Sequence, residues 1–329
     1  MNDRRLGNSG LTVAPVGLGC MGLSHASGAP TEKREAIKIL RQAFDMGYTF
    51  FDTAECYTGI NLDGTISYNE ELVGESLRPV RDKVVIASKF GVHHAKDKSL
   101  LLDSRPESIH TAVEGSLKRL GTDYIDLYYQ HRIDPKVSPE EVADTMSDLI
   151  REGKIRAWGI SEATEDYLRR AHTVCPVTAI QNRYSMMARW HENLFPVVEE
   201  LHISFVAFSP MANGFLTGRY NQHSKFEAGT DYRSMMPQYT EEGVARSREL
   251  IDLLNSLAHE KNATPAQISL AWMLCKKDYM IPIPGSRKPE RLRENLGAVE
   301  IFLRADEIEK IDRQLDRMDL LVFGGHTSK

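Results

Sequence analysis

The sequence predicts an α/β fold, a single (β/α)8 TIM barrel with a short N-terminal β-hairpin and loop insertions at the C-terminal face. Short, mostly apolar runs typical of strands buried on both faces alternate with runs of helical period, which indicates parallel βαβ units. The 329 residues suit one barrel of about 250 residues with insertions. No repeat or Pro/Ser-rich linker suggests a boundary, so residues 1–329 are expected to form one domain.

The strands are predicted in chain order. An N-terminal hairpin is expected first, with Arg4–Leu6 and Leu11–Val13 joined by a turn at Gly7–Gly10. Eight barrel strands are then predicted at Pro15–Cys20, Tyr48–Thr53, Val84–Lys89, Ile125–His131, Arg156–Ser161, Val177–Asn182, Ile203–Ser209 and Met280–Gly285.

Two of the intervening helices have clear start signals. Ser138-Pro139-Glu140-Glu141 predicts an N-cap, a proline in the first turn and a capping-box carboxylate, and Gly153 predicts the end of that helix. Thr264-Pro265-Ala266-Gln267 repeats the same signal.

Composition narrows the class of protein. A net charge of −5 argues against nucleic-acid or acidic-membrane partners, which call for a basic face. No apolar run approaches the roughly 20 residues of a membrane-spanning helix, and the first residues lack the apolar region of a secretory signal. A cytoplasmic location is therefore expected, with free thiols at Cys20, Cys56, Cys175 and Cys275.

Residues 17–22 read Gly-Leu-Gly-Cys-Met-Gly, which matches the dinucleotide-binding pattern GxGxxG. That motif needs a helix that opens within it, whereas Ser24–Pro30 has the composition of a loop and the next helix is expected near Thr31. The glycines are better explained by a barrel strand that a ligand or a neighbouring backbone approaches closely. The chain also has no Tyr-x-x-x-Lys, which removes a short-chain dehydrogenase from consideration.

Polar residues at the predicted strand ends form a set that packing alone does not explain. Asp52, Lys89 and His131 lie at the ends of the second, third and fourth strands, and Tyr57 follows Asp52 by five residues. In a β/α barrel these ends meet at the mouth where active sites lie. Singly, each residue has an ordinary structural role. Together they predict a catalytic site, because a buried Lys and Asp must pair or shift their pKa values.

These residues stand in segments that resemble the motifs of the aldo-keto reductases, and the resemblance extends over essentially the whole chain. Phe50–Tyr57 is similar to the Asp/Tyr motif of that family, Ala87–Phe90 to its Lys motif and Tyr129–Arg132 to its His motif. The cofactor segments of the family are matched by Gly159–Glu162, Gln181–Ser185, Phe208–Pro210, Pro284–Arg287 and Arg291–Asn295.

The resemblance implies an NADPH-dependent enzyme that reduces aldehydes or ketones. Tyr57 would donate the proton, Lys89 would lower the pKa of its phenol, and Asp52 would hold the ammonium group. His131 would orient the carbonyl oxygen. Hydride would come from the nicotinamide.

The same resemblance implies a set of cofactor-binding residues. Ser161, Gln181 or Asn182 would hold the carboxamide, with Gln181 favoured, and Phe208 would stack on the nicotinamide. Arg287 and Arg291 would favour a 2′-phosphate beside a helix N-terminus. The predicted set is Met21, Gly22, Ser161, Gln181, Phe208, Ser209, Pro210, Met211, Gly285, Ser286, Arg287, Arg291, Glu294 and Asn295.

Two alternatives stay open. One is a barrel that binds NADPH as a regulatory or ion-channel subunit with little turnover, although the intact set of Asp52, Tyr57, Lys89 and His131 argues against it. The other is a metal-dependent hydrolase that uses His93 and His94. Adjacent histidines point in different directions and no further ligand stands at a clear spacing, so we interpret these two as surface loop residues and expect no metal.

The loops are expected to select a small carbonyl substrate whose identity the sequence does not give. They are Gly22–Pro30, Ala54–Tyr68, Met211–Thr240 and the tail Asp319–Lys329. Cys56, beside Tyr57, is interpreted as a packing thiol, because reactivity depends on a local pKa.

Overall fold

The computed structural model describes residues 2–95 and 99–325, and the last four residues of the predicted tail segment lie outside this range. Its strands are β1 (Arg4–Arg5), β2 (Thr12–Val13), β3 (Leu18–Gly19), β4 (Phe50–Asp52), β5 (Thr58–Ile60), β6 (Ile66–Tyr68), β7 (Val85–Phe90), β8 (Val92–His94), β9 (Leu100–Leu102), β10 (Ile125–Gln130), β11 (Ile155–Ser161), β12 (Ala179–Arg183), β13 (Ser204–Phe208) and β14 (Met280–Pro282).

Eight of these strands form one parallel sheet in the order β3, β4, β7, β10, β11, β12, β13, β14. The sheet curls until its two edges meet. There the amide of Gly17 donates to Pro282 O at 3.0 Å, and the amide of Gly19 donates to Pro284 O at 3.3 Å. The predicted (β/α)8 barrel is confirmed.

The closure of the barrel explains the glycine pattern. A Cβ atom on Gly19 would lie 2.8 Å from Ile283 O, and one on Gly285 would lie 2.8 Å from Gly19 O. Only glycines let the first and last strands approach this closely. The chain after β3 enters a short 3-10 turn (Met21–Leu23), and the first α-helix begins ten residues later at Lys33. Gly19 of the GxGxxG pattern therefore serves barrel closure, the approach of a neighbouring backbone that was one of the two expected uses of these glycines.

Helices follow the strands and cover the outside of the barrel. They are α1 (Lys33–Met46), α2 (Asn69–Leu77), α3 (Pro106–Leu120), α4 (Pro139–Arg151), α5 (Glu165–Val174), α6 (Phe195–Glu200), α7 (Glu241–Arg246), α8 (Arg248–Glu260), α9 (Pro265–Lys276), α10 (Pro289–Leu296) and α11 (Ala305–Leu315). No helix within the described part of the chain is long and apolar enough to cross a membrane.

The predicted helix starts are confirmed, with one difference. Thr264 and Gln267 form a complete capping box at the start of α9. At the start of α4 the Ser138 side chain accepts a hydrogen bond from the Glu141 amide. The second bond of a capping box, from the Ser138 amide to the Glu141 carboxylate, is not recorded there. One satisfied amide in the first turn is enough to fix where this helix begins.

The core has two layers. Inside the barrel, Phe50, Leu127, Val206 and other strand residues pack together, and the β1–β2 hairpin covers this interior at the amino-terminal end with Leu6 and Val13. A larger cluster lies between the outer faces of the strands and the helices. The amino-terminal end is thus sealed, and the carboxyl-terminal mouth is where polar side chains gather.

Two hairpins at this mouth were not predicted. The segment after Tyr57, expected to be a loop, contains the antiparallel pair β5–β6. His93 and His94 lie in β8, which pairs with β9, so their interpretation as loop residues is wrong, although both are exposed. Each strand of the two hairpins has only three residues, which is too short for an alternation of polar and apolar residues to predict a strand.

Candidate active site

Neighbouring strands bring the four predicted catalytic residues together. Asp52 is the last residue of β4, Lys89 is the penultimate residue of β7, and His131 follows β10 directly. Because β4 pairs with β7 and β7 pairs with β10, the three strand ends are adjacent. Tyr57 returns over them from the turn that follows β4, since its amide bonds to Ala54 O at 3.2 Å.

Lys89 is the centre of the cluster and is fully buried. Its ammonium nitrogen donates to Asp52 Oδ1 at 2.6 Å, to the carbonyl oxygen of Thr53 at 2.7 Å and to the Tyr57 hydroxyl at 3.3 Å. These three acceptors use all three N–H bonds of the ammonium group. Tyr57 accepts this bond, so its own proton stays available, and no acceptor for that proton is recorded among the described residues.

The environment of this cluster sets the protonation states. Burial works against the charge of Lys89, but Asp52 and Tyr57 outweigh it and raise the pKa of the ammonium group. Burial also raises the pKa of Tyr57 to about 12, while the Lys89 charge pulls it the other way. The expected direction of the Lys89 effect is confirmed. The net pKa is nevertheless raised, because removal of the phenol from water costs its ionised form more free energy than one paired cation returns.

His131 is buried beside the tyrosine. The two rings meet edge to face with their centroids 5.7 Å apart. Burial, followed by the charges of Lys89 and Arg132, lowers the pKa of His131 well below its ordinary value. The imidazole is therefore neutral at pH 7 and donates from one ring nitrogen only. Its Nδ1 atom lies 3.5 Å from the thiol of Cys56.

The ring of His25 packs against Tyr57, and the rings of His94 and Tyr232 pack against His25 in turn. The His25 ring stacks on Tyr57 at 5.9 Å and lies 5.1 Å from the ring of His94 and 6.0 Å from that of Tyr232. His25 Nδ1 lies 2.8 Å from Thr58 O, which as a carbonyl can only accept, so His25 is protonated at Nδ1. His25 falls in the predicted substrate loop Gly22–Pro30, but no pattern in that loop marked this histidine.

Two of the predicted substrate loops join over the mouth. Ser27 pairs with Asp231 in an antiparallel bridge. The Gly28 amide bonds to Thr230 O at 3.0 Å, and the Tyr232 amide bonds to Ala26 O at 3.2 Å. The site is therefore covered by a strap of backbone drawn from both loops, 22–30 and 211–240.

The predicted carboxamide-binding residues carry protein contacts of their own. Gln181 donates from Nε2 to Asp52 Oδ2 at 2.7 Å, so it holds the second oxygen of that carboxylate. Ser161 Oγ accepts from Arg132 at 3.1 Å. Asn182 instead bonds to the amide of Ala163 at 3.2 Å, which fixes the loop after β11. Of the three, Gln181 contacts the cluster directly, and Ser161 is linked to it through Arg132, the neighbour of His131.

The segment after β13 turns sharply beside the site. Phe208 is half-buried, and the guanidinium groups of Arg183 and Arg132 lie 4.9 Å and 6.0 Å from its ring centre. Ser209 has a φ of 51°, a left-handed conformation that reverses the chain into Pro210 and Met211. A non-glycine residue in this region is strained, and such strain is found at functional sites.

Arg287 makes contacts that the sequence did not suggest. It donates to the carbonyl oxygens of Gly22 at 2.5 Å, Ser27 at 2.9 Å and Ala29 at 3.0 Å. It therefore pins the first half of the strap to the barrel, and Met21 and Gly22 lie in the 3-10 turn that leads into it.

The remaining predicted cofactor residues stand at the start of α10. Ser286 Oγ accepts from the Lys288 amide at 3.1 Å, next to the closing glycine Gly285. Arg291 bonds to Glu294 Oε2 at 2.6 Å, and Asn295 is buried behind them. The helix N-terminus thus carries Arg287, Lys288 and Arg291, the combination of dipole and cations that suits a phosphate group.

His93 and His94, the two residues of the metal-dependent alternative, lie on β8 of the β8–β9 hairpin. Within residues 2–95 and 99–325, no three or more His, Cys, Asp or Glu side chains are grouped so that they could hold a metal ion. His93 and His94 stand on neighbouring positions of an exposed strand and so face in opposite directions.

Comparison with known proteins agrees with the fold and the motifs. A family model described as the Aldo/keto reductase family matches residues 15–316. The chain is 36% identical over 309 residues to the probable aldo-keto reductase 1 of Glycine max, covering 93% of this chain and 87% of that protein. It is 34% identical over 325 residues to the aldo-keto reductase yakc of Schizosaccharomyces pombe, whose name includes NADP(+), covering 97% and 92%.

A solved structure adds a match in three dimensions. The chain is similar to the crystal structure of an aldo/keto reductase from Klebsiella pneumoniae in complex with NADP and acetate. The TM-score is 0.73 and the sequence identity 25%, and the match covers 98% of this chain and 100% of that one. The similarity includes the whole barrel rather than a part of it.

Proposed function

This chain belongs to the aldo/keto reductase family, and from that premise we propose that it reduces aldehydes or ketones to alcohols with NADPH, with Tyr57 as the general acid. The observation that carries the proposal is the Lys89 ammonium group, which bonds to Asp52 and Tyr57 together at the barrel mouth. We also propose that residues 1–329 act as one barrel domain.

The proton would come from Tyr57. As hydride reaches the carbonyl carbon, negative charge grows on the oxygen, and an alkoxide is a stronger base than a phenolate. Transfer from a phenol with a pKa of about 12 is therefore favourable. Lys89 would stabilise the phenolate that remains. Asp52 holds the ammonium group of Lys89, and Gln181 in turn holds the carboxylate of Asp52.

His131 would place the carbonyl oxygen. A neutral imidazole donates one hydrogen bond without competing for the proton that Tyr57 gives. The edge-to-face arrangement of the two rings at 5.7 Å allows one oxygen atom to meet both donors. His25, His94 and Tyr232 would then surround the rest of the substrate.

The residues of the mouth fit a nicotinamide dinucleotide phosphate. When bound, the nicotinamide supplies hydride, which no side chain can do. Ser161, Gln181 and Phe208 would hold its ring beside the cluster, with Ser209, Pro210 and Met211 along its phosphates. Lys288 and Arg291 at the start of α10 would receive the 2′-phosphate. Arg287 holds the strap, which together with Met21 and Gly22 would cover the molecule.

The reaction is tested by following NADPH and NADH oxidation separately with a panel of sugars, small dicarbonyls, aromatic aldehydes, pyridoxal and ketosteroids. We expect carbonyl-dependent oxidation of NADPH. Tight NADPH binding without turnover on the whole panel would instead favour the regulatory-subunit alternative.

Cofactor selection is tested at Arg291. Arg291→Ala should weaken NADPH binding about tenfold or more, because a charge-assisted hydrogen bond contributes roughly 1.5–3 kcal/mol. NADH binding should not change, since NADH has no 2′-phosphate. Arg293→Ala, on the same helix, is the matched control. Equal losses for both cofactors would contradict this role.

A further inference from the structure

The thiol of Cys56 contacts the active-site histidine. Cys56 Sγ lies 3.5 Å from His131 Nδ1, within the range of hydrogen bonds to sulfur, and both residues are less than one-tenth exposed. Cys56 precedes Tyr57, and His131 follows β10. The contact therefore ties the turn that carries the proton donor to the residue that would orient the substrate.

The two partners can share the contact in only one favourable way. Burial raises the pKa of the Cys56 thiol to about 12, so the sulfur is protonated. His131 is neutral, because burial and the charges of Lys89 and Arg132 lower its pKa. A thiol sulfur is a weak acceptor, whereas an unprotonated imidazole nitrogen is a good one. The S–H group therefore donates and Nδ1 accepts.

This assignment determines which nitrogen of His131 carries the proton. With the lone pair of Nδ1 engaged, the single proton of the neutral ring resides on Nε2, on the edge that faces away from Cys56. No partner for Nε2 is recorded among residues 2–95 and 99–325. An Nε2–H group is the donor that a carbonyl oxygen requires, and the opposite tautomer would present a lone pair and repel that oxygen.

We propose that Cys56 is a positioning residue that fixes His131 in the tautomer protonated at Nε2, and so prepares the hydrogen-bond donor for the carbonyl substrate. The role of this donor rests on the proposed reductase function, whereas the tautomer itself does not. Other histidine-containing sites use a carboxylate or a backbone carbonyl to set the tautomer, with the opposite result at the bonded nitrogen. Here a proton donor takes that place.

The groups that face His131 come from several elements. Lys89 lies on β7, Arg132 follows His131 itself, His94 lies on β8, and His25 belongs to the loop after β3. The Tyr57 ring and the Cys56 thiol complete the surroundings. The cations disfavour a second proton on the ring, and the S–H bond, which exists only with the neutral ring, acts in the same direction.

The tautomer is measured directly with 15N-histidine-labelled protein, without any substrate. The His131 signals are identified by their loss in His131→Gln. In the wild type we expect Nε2 to resonate as a protonated, pyrrole-type nitrogen and Nδ1 as an unprotonated, pyridine-type nitrogen. A protonated Nδ1 would overturn the proposal, whatever the enzyme reduces.

Substitution separates donation from packing. Cys56→Val and Cys56→Ala remove the donor with different volumes, and Cys56→Ser keeps it. Both donor-free variants should lower kcat/KM for the carbonyl by about three- to tenfold, the range of one neutral hydrogen bond. The serine variant should recover most of this loss. NADPH affinity and the thermal midpoint should stay close to wild type in all three variants.

The pH profile gives a second signature. Loss of the S–H donor should raise the pKa of His131, so the acid limb of kcat/KM should move to higher pH in Cys56→Val and return in Cys56→Ser. Unchanged kinetics and an unchanged 15N spectrum in Cys56→Val would show that Cys56 only packs. If the wild-type enzyme reduces no carbonyl, the reductase proposal fails, and the spectra still decide the tautomer.

Discussion

Two clusters of similar residues lie at opposite ends of this barrel. At the carboxyl ends of the strands, Asp52 pairs with Lys89 beside Tyr57. At the amino ends, Asp126 pairs with Arg81 at 2.7 Å and Arg156 at 3.2 Å beside Tyr124. Each cluster has a buried aspartate on a strand, a cation from a neighbouring element and a tyrosine.

In the amino-end cluster both oxygens of the aspartate are fully engaged. One oxygen of Asp126 accepts from Arg156, and the other accepts from Arg81 and from the Ile86 amide at 2.9 Å. Both guanidinium groups lie 4.0 Å from the centre of the Tyr124 ring. An arginine does not give up its proton in proteins, so this cluster can only hold its elements together.

The carboxyl-end cluster differs in what its cation contacts. The cation is a lysine, whose compact ammonium group donates to the tyrosine hydroxyl at 3.3 Å and also lies 4.9 Å from the ring centre. At the amino end both guanidinium groups lie over the ring of Tyr124, and no bond to its hydroxyl is recorded in the described residues. The comparison indicates that the proposed chemistry depends on a hydroxyl in direct contact with a charge, and not on the presence of Asp, a cation and Tyr as such.

The largest contrast is expected between the two tyrosines. Tyr57→Phe should lower kcat about a thousandfold, because general acid catalysis contributes roughly 10²–10⁴ in rate, while NADPH still binds. The matched change Tyr124→Phe should leave kcat unchanged. Steady-state assays and cofactor fluorescence titration measure both. Normal turnover by Tyr57→Phe would remove the distinction between the clusters.

The next contrast lies between the two cations. Lys89→Met should reduce kcat about a hundredfold and also destabilise the fold, since Asp52 is left buried without its partner. Arg156→Met should cost less than about 1 kcal/mol, because this arginine is half exposed and Asp126 keeps Arg81. Activity per folded molecule, with the folded fraction from urea unfolding, separates the two effects. A similar kcat for both variants would argue against the role of Lys89.

A smaller effect, on stability alone, is expected at Asp126. Asp126→Asn should lower the free energy of unfolding by about 2 kcal/mol, less than the roughly 3–5 kcal/mol of a broken buried pair. The reason is that Arg81 retains the carbonyl oxygens of Tyr124 and Val84 as acceptors. Urea unfolding measures this change. A loss of kcat per folded molecule would show that the amino-end cluster is coupled to the reaction.

The smallest effect is expected from pH. The proposed reduction needs a protonated Tyr57, and a pKa of about 12 keeps this hydroxyl protonated through the accessible pH range. It also needs a neutral His131. Because the pKa of that ring is lowered well below its ordinary value, the ring stays neutral even at pH values where an exposed histidine would be protonated. The kcat/KM for reduction should therefore be flat from about pH 6.5 to 9. A fall with rising pH near 7 to 8 would show that Lys89 outweighs burial.

The sequence predicted much of the site, and particular residues show where prediction stopped. Asp52, Lys89 and His131 were accessible because each ends an apolar run and strand ends converge in a barrel. The contacts of Arg287 could not be predicted. A helix N-terminus with three cations predicts a phosphate site, and the sequence pattern is the same whether or not one of the cations already bonds to a loop. His25 and Cys56 carried no signal, since their partners lie 33 and 75 positions further along the chain.

The sequence by itself determined the barrel, the order of its strands and the residue types at its mouth, because the periods of strands and helices and the glycines of the closing strands are local properties. The tertiary structure alone decided the balance of forces within the site. Whether burial or Lys89 sets the pKa of Tyr57, and which nitrogen of His131 holds the proton, depend on distances and exposure. Both arise only when segments remote in sequence are brought together.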